Sequence, residues 1–301
     1  MLYVTQTALL LGCIYAIVSL ALFISFRILN IADLTTDGCF VLGMAVSVSA
    51  SVHGHPVLGL FLAMLAGCAA GAVTALLQTR CGVPAILAGI VTNTGLYTMN
   101  LMAMGWSSNI NILKQETVYT LFRSTGIGGS WYNILLSFVI MALFMVIIRL
   151  FLATRLGLSV RATGDNPDMV AASSIDPRKT ILIGLVIANS LTALAGALIG
   201  QMQKTADING GTGIVVIGLA CLIIGETVIG RGSLTRNIIA CFIGNFVYRM
   251  IYAVILQTRI IPVDCLKLMT ALIVALAIAL PTIRENAALY RRIREEGHRN
   301  A

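Results

Sequence analysis

The sequence is short of charge. Asp, Glu, Lys and Arg supply 11% of its 301 residues, while 58% are hydrophobic. A soluble domain carries roughly 25% charged residues, so this chain cannot clothe a water-exposed globule of its size. A soluble enzyme, a disordered chain and a disulfide-stapled secreted scaffold are thereby excluded. Lysine is scarce: Lys114, Lys179, Lys204 and Lys267 are all there is, and no Gly-x-x-x-x-Gly-Lys-Ser/Thr run exists. The chain therefore has no P-loop with which to cradle ATP. No Cys-x-x-Cys pair occurs either. Cys13, Cys39, Cys68, Cys81, Cys221, Cys241 and Cys265 are scattered, mostly inside apolar runs, where a thiol packs as a small hydrophobe. With only His53 and His55 close together, no metal site is expected. Residues 1–5 lack a positive charge, so no cleavable signal is read there.

Apolar length is what the chain has instead. Mean hydropathy is +0.94, and about 20 apolar residues cross a bilayer as a helix. Unbroken apolar runs cover 6–27, 39–53, 57–79, 83–104, 132–152, 180–203, 213–230, 237–257 and 265–283. They lack the short alternation of a transmembrane barrel. The fold expected is all-α: a polytopic transmembrane helical bundle of about nine spans. It occupies 1–283, with a basic tail at 284–301.

The net charge of +8 is explained by basic loops on one face of a membrane, not by a nucleic-acid partner. Arg155, Arg161, Arg178 and Lys179 cluster between the fifth and sixth runs, and Arg284, Arg291, Arg292, Arg294 and Arg299 follow the last. Both clusters belong in the cytoplasm by the positive-inside rule. Threading back puts Arg27, Arg80, Arg149, Arg231 and Arg236 inside as well. Lys114, Arg123, Lys204, Arg259 and Lys267 fall outside, and Arg249 lies within a span. The N-terminus is then external and the C-terminus cytoplasmic. Trp106 and Trp131 bracket the external 105–131 segment.

The second group of runs starts from the opposite side to the first, which makes an inverted repeat. Two short polar, glycine-bearing segments, 30–38 and 207–213, sit at comparable points. Broken segments so placed are a transporter signature. The first is expected inside and the second outside.

The cytoplasmic stretch 153–179 holds the sharpest local signal. Asn166 suits a helix cap, Pro167 the first helical position and Asp168 the positive helix end, and Pro177 stops the helix. So short a helix needs a partner surface for its apolar residues. The run Arg161-Ala-Thr-Gly164-Asp-Asn166-Pro167-Asp168-Met-Val-Ala171 to Ile175 resembles the coupling-helix signature of bacterial ABC importer permeases, in the branch of the branched-chain amino acid and ribose permeases. Gly12 to Ala16, Leu29 to Gly38 and Gly218 to Gly230 resemble further blocks of that family, and 30–38 is closest to the sub-branch linked to tryptophan and tyrosine uptake. Ser174 stands where related permeases often have Gly.

The resemblance implies a permease subunit in a bacterial inner membrane. It implies cytoplasmic ATPase subunits that carry ATP and Mg, an external substrate-binding protein, and a second permease copy or homologue. The chain itself would bind no cofactor, catalyse nothing, and take up a small solute, first choice an aromatic amino acid. Arg161, Gly164, Asn166, Pro167, Asp168, Ala171 and Ile175 would meet the ATPase. Polar residues inside spans face the bundle or a cavity, so Thr35, Thr36, Asp37, Thr92, Asn93, Asn189 and Asn245 are candidates for the path, with helix–helix bonding as their plain alternative. Glu226 is expected to pair with Arg231 or Arg236, or to form part of a gate. An ion-coupled secondary transporter would instead need carboxylates at mid-membrane, and a non-transporting scaffold or sensor would be indifferent to those polar residues.

Overall fold

The apolar runs fold as helices because a helix satisfies every internal backbone group without water. A computed structural model describes residues 2–124, 126, 131–230, 232–258 and isolated positions between 271 and 279. In chain order these form α1 (Leu2–Leu22), which runs on through a π-helical turn (Phe23–Ile28), α2 (Thr36–Val52), α3 (Pro56–Thr79), α4 (Ala85–Ala103), β1 (Asn109–Asn111) and α5 (Val118–Ser124). There follow α6 (Tyr132–Ala153), α7 (Arg155–Asp165), α8 (Pro167–Ala172), α9 (Pro177–Gln203), β2 (Thr205–Asp207), α10 (Ile214–Ile229) and α11 (Leu234–Thr258). Among the described residues, five helices are long and apolar enough to cross a membrane, and α2 and α10 are shorter apolar helices. Eight of the nine expected runs are thus helices; the run 265–283 lies largely, and the tail 284–301 wholly, outside the described residues.

One departure from an all-helical reading is small. Strands β1 and β2 pair antiparallel, Asn109 opposite Asp207 and Asn111 opposite Thr205. They lie beyond the helix ends, where the backbone must find partners outside a helix.

The two groups of helices repeat one plan. Asn30 (φ 55°) and Lys204 (φ 59°) both leave the helix through the left-handed region. Three residues on, Asp33 and Asp207 each accept the amide two positions ahead, at 2.9 and 2.8 Å. A short helix, α2 or α10, and a longer one, α3 or α11, then follow. Leu29 at the end of α1 meets Gly184 early in α9, whereas Tyr15, midway along α1, stacks on Phe40, which rests on Gly196 late in α9. The leading helices α1 and α9 therefore run antiparallel, as an inverted repeat requires.

Leading helices are exchanged between the halves. Helix α9 packs chiefly on α2 and α3, and α1 chiefly on α11, with α9, α6 and α10 also against it. In hydrocarbon such packing depends on small residues and polar bonds between helices. Gly43 of α2 lies on the Ala193 carbonyl and Gly196 of α9 on the Phe40 carbonyl, so a side chain at either position would force the helices apart. Outward faces stay apolar, with Phe61, Leu65, Phe138, Leu143, Val146 and Leu150 exposed. Such faces are suited to lipid or to another apolar surface.

Candidate functional site

The short helices α2 and α10 begin inside the bundle and meet there. Residues 29–35 turn back along α9 until Asp33, 1% exposed, receives the Asn189 side-chain amide at 2.7 Å. Asn189 is close to the midpoint of the 27-residue α9, so α2 starts about halfway along it. Helix α10 starts at the same level. Its cap residue, Gly213 (φ 84°), has no side chain to accept the first amides. Asp37 does so from 176 positions away, taking Gly213 N–H at 3.0 Å and Val215 N–H at 2.9 Å. Two positive helix ends thus converge on one carboxylate. Expected as broken segments on opposite sides, 30–38 and 207–213 instead touch, with Gly211 against the Asp37 carbonyl.

Beside this junction lies a cavity of about 380 Å³, within the range of small-molecule sites. Asp37, Gly38 and Val41 form one wall, Asn93, Thr94, Tyr97 and Asn100 a second, and Ile208, Asn209, Gly211 and Thr212 a third. Asn100 donates to the Gly38 carbonyl at 3.2 Å and keeps its own Oδ1 without a partner. Amides, a hydroxyl and a phenol ring beside apolar carbon make a lining that can hold both a zwitterion and an aromatic side chain.

The expected path residues divide. Asp37 and Asn93 line the cavity. Thr92 is buried on the neighbouring face of α4 with its hydroxyl unpartnered. Thr35 shares a 2.9 Å bond with Thr74 of α3, and Thr36 turns back to the Asp33 carbonyl. Asn189 holds Asp33, and Asn245 donates to Ser19 Oγ at 2.7 Å, so both join helices. Tyr97, Asn100, Asn209 and Thr212 escaped the sequence reading. Asn93, Tyr97 and Asn100 follow a helical i, i+4, i+7 spacing, a signal that could have found two of them.

Arg231, one expected partner, lies outside the described residues, and Glu226 takes a partner that was not expected. Its side chain, 3% exposed, is gripped in bidentate fashion by Arg27 of the π-helical turn, at 2.8 and 2.6 Å. Arg249 lies far along α11, its guanidinium 3.8 Å from the centre of the Tyr15 ring and its Nε buried without an acceptor. A cation held over a ring face is stabilised by the ring quadrupole.

At the end of the bundle bearing α7 and α8, caps define the turns. Thr154 caps α7, Asn166 accepts Met169 N–H at 3.0 Å to open α8 at Pro167, and Asp176 caps α9. Ser174 follows α8 with φ 61°, a conformation that favours glycine. Val170 anchors α8 inward, while Asp168, Met169, Ala171 and Ile175 face solvent. Arg161 is exposed, and Gly164 lies flush on the Ile28 carbonyl.

Comparison with known proteins agrees with this architecture. A family model described as branched-chain amino acid transport system / permease component matches residues 4–280. The tyrosine transport system permease protein of Clostridioides difficile is 30% identical over 262 residues, covering 87% of this chain and 85% of that one. An uncharacterized protein of Rickettsia prowazekii is 32% identical over 266 residues, covering 86% and 91%. A probable branched-chain amino acid transport permease of Methanocaldococcus jannaschii is 26% identical over 162 residues, covering 54% and 46%. No solved structure matches the chain.

Proposed function

The chain belongs to the family of branched-chain amino acid transport system permease components, and from that membership we propose that it is the membrane subunit of an ATP-driven amino-acid importer, with an aromatic amino acid as first choice. The observation that carries the reading is the polar cavity where the α2 and α10 starts meet inside an apolar bundle. An amino-acid zwitterion needs donors, acceptors and an escape from hydrocarbon. Asn93, Asn100, Asn209 and Thr212 offer the first two, and Tyr97 offers a ring on which an aromatic side chain stacks. The tyrosine permease relative supports the aromatic choice.

Permeases of this family associate in general with ATPase and binding-protein components. In this reading α8 is the surface pushed by the ATPase. Met169 and Ala171 of α8 and Ile175 just after it are exposed apolar residues that a groove would cover. The α8 end is cytoplasmic and the β1–β2 end receives substrate from the binding protein. A second permease copy or homologue completes the assembly.

The test is reconstitution in liposomes with the co-purified ATPase and binding protein. ATP-dependent uptake of labelled tyrosine or tryptophan, competed weakly by leucine, is expected. Asn93→Leu should raise the KM for the aromatic substrate roughly tenfold, the effect of one lost hydrogen-bonding group. Uptake without ATP, or uptake kinetics unchanged by Asn93→Leu, would overturn the reading or the site respectively.

A further inference from the structure

We propose that Arg27 and Glu226 form the latch that closes the α8 end of the path, and that α7 works it. The inference rests on the permease reading and adds the parts by which a push on α8 reaches the path.

Four observations converge. First, the pair joins the two halves: Arg27 ends the leading helix of one, and Glu226 lies near the end of the short helix of the other. Second, Arg27 sits on a π-helical turn. Such a turn holds an extra residue, and its return to α-helix rotates the residues after it by about 100°. Third, that turn is the seat of α7. Gly164 rests on the Ile28 carbonyl with no room for a side chain, and the Thr163 and Thr180 hydroxyls, 2.7 Å apart, tie α7 to α9. Helix α8 follows α7 after the single residue Asn166. Fourth, a cavity of about 190 Å³ opens beside the pair, lined by Arg27, Arg161, Asp165 and Asn237 among others. Arg27, 39% exposed at its side chain, has space to swing there and a second carboxylate, Asp165, on the cavity wall.

The other end of the bundle shows what a fixed joint looks like. Gln201 holds the place in α9 that Arg27 holds in α1, three residues before Lys204 as Arg27 is three before Asn30. It is 1% exposed and donates to Ser47 Oγ at 2.7 Å and the Pro56 carbonyl at 2.8 Å, while accepting Val118 N–H at 2.8 Å. That joint is neutral, buried and fully engaged on three elements. The ion pair is open to solvent on its Arg27 side, has an adjoining cavity and stands on a π-helical turn. The structure shows the pair closed, with Arg27 bidentate on the Glu226 carboxylate.

The latch is tested in liposomes holding the chain, its ATPase and its binding protein. Glu226→Gln should raise the leak of labelled substrate without nucleotide about tenfold, as loss of a bidentate charge-assisted pair shifts a two-state balance. Uptake per ATP hydrolysed should fall by a similar factor, with assembly unchanged. Arg27→Gln reads the same latch from its more exposed side, so the test survives if Glu226→Gln does not assemble. The double reversal Arg27→Glu/Glu226→Arg should restore tightness. A tight, fully coupled Glu226→Gln or Arg27→Gln complex, differing from the parent only in melting temperature, overturns the latch alone. Parent liposomes with no ATP-driven uptake overturn the permease reading, and the latch with it.

Discussion

Asp37→Ala is the most demanding single test of the junction between α2 and α10. The alanine removes the acceptor of two amides, Gly213 N–H and Val215 N–H. A lost cap costs about 1–2 kcal/mol, and a buried donor left unpaired costs about 1–3 kcal/mol. Together these give a loss of about 3 kcal/mol, or about 6–12 °C in melting temperature at 2–4 °C per kcal/mol. Asp37→Asn keeps one acceptor oxygen and should lose only about a third of that. The assay is thermal unfolding of detergent-purified protein, followed by a thiol-reactive dye. Cys13, Cys39, Cys221 and Cys241 are buried free thiols and become reactive only as the bundle opens. An alanine variant that melts within about a degree of the parent would refute the capping argument. If it also lost uptake, Asp37 would serve the solute and not the helix.

Three further outcomes are expected. Ala171→Arg places a long charged side chain on the exposed face of α8 and should abolish co-purification of the ATPase while the chain still inserts; retained association in a pulldown counts against α8 as the docking surface. Gly43→Val drives two methyl groups into the Ala193 carbonyl, and overpacking of this kind costs about 1–3 kcal/mol or more; an unchanged melting temperature would show that the α2–α9 contact is looser than described. Cysteines placed at His55 and at Arg299 should label from opposite sides of sealed vesicles; labelling from one side would overturn the orientation derived from the basic loops.

The helices were legible because each apolar run carries its own signal. The caps of α8 were legible for the same reason: Asn166, Pro167 and Asp168 act within one turn. Long-range pairings were not. Nothing near Glu226 announces Arg27, 199 positions away, and the nearer Arg231 and Arg236 were the natural expectation. Nor does Gly213 announce that its cap is Asp37. The repeat left a trace that is easy to overlook: Ala32-Asp33 against Ala206-Asp207, and Leu77-Gln78-Thr79-Arg80 against Leu256-Gln257-Thr258-Arg259. The trace is faint because packing in lipid constrains size more than identity, so positions related by the repeat differ in chemistry. Arg249, which the sequence leaves within a span, lies over the Tyr15 ring, another pairing between residues far apart in the chain.

The exchange of leading helices also sets the order of events during synthesis. When α2 and α3 leave the ribosome, the surface they need belongs to α9, whose last residue is Gln203. For that interval they hold Gly43, Gly67 and the Ser47 hydroxyl without the α9 residues Ala193 and Gln201 that cover them. Helix α1 waits longer still for its main neighbour, α11. A chain cut between α4 and α9 would therefore hold no finished unit for quality control to spare. The two fragments made by a break in the α7–α8 loop should instead recover the fold when produced together, because each carries what the other lacks.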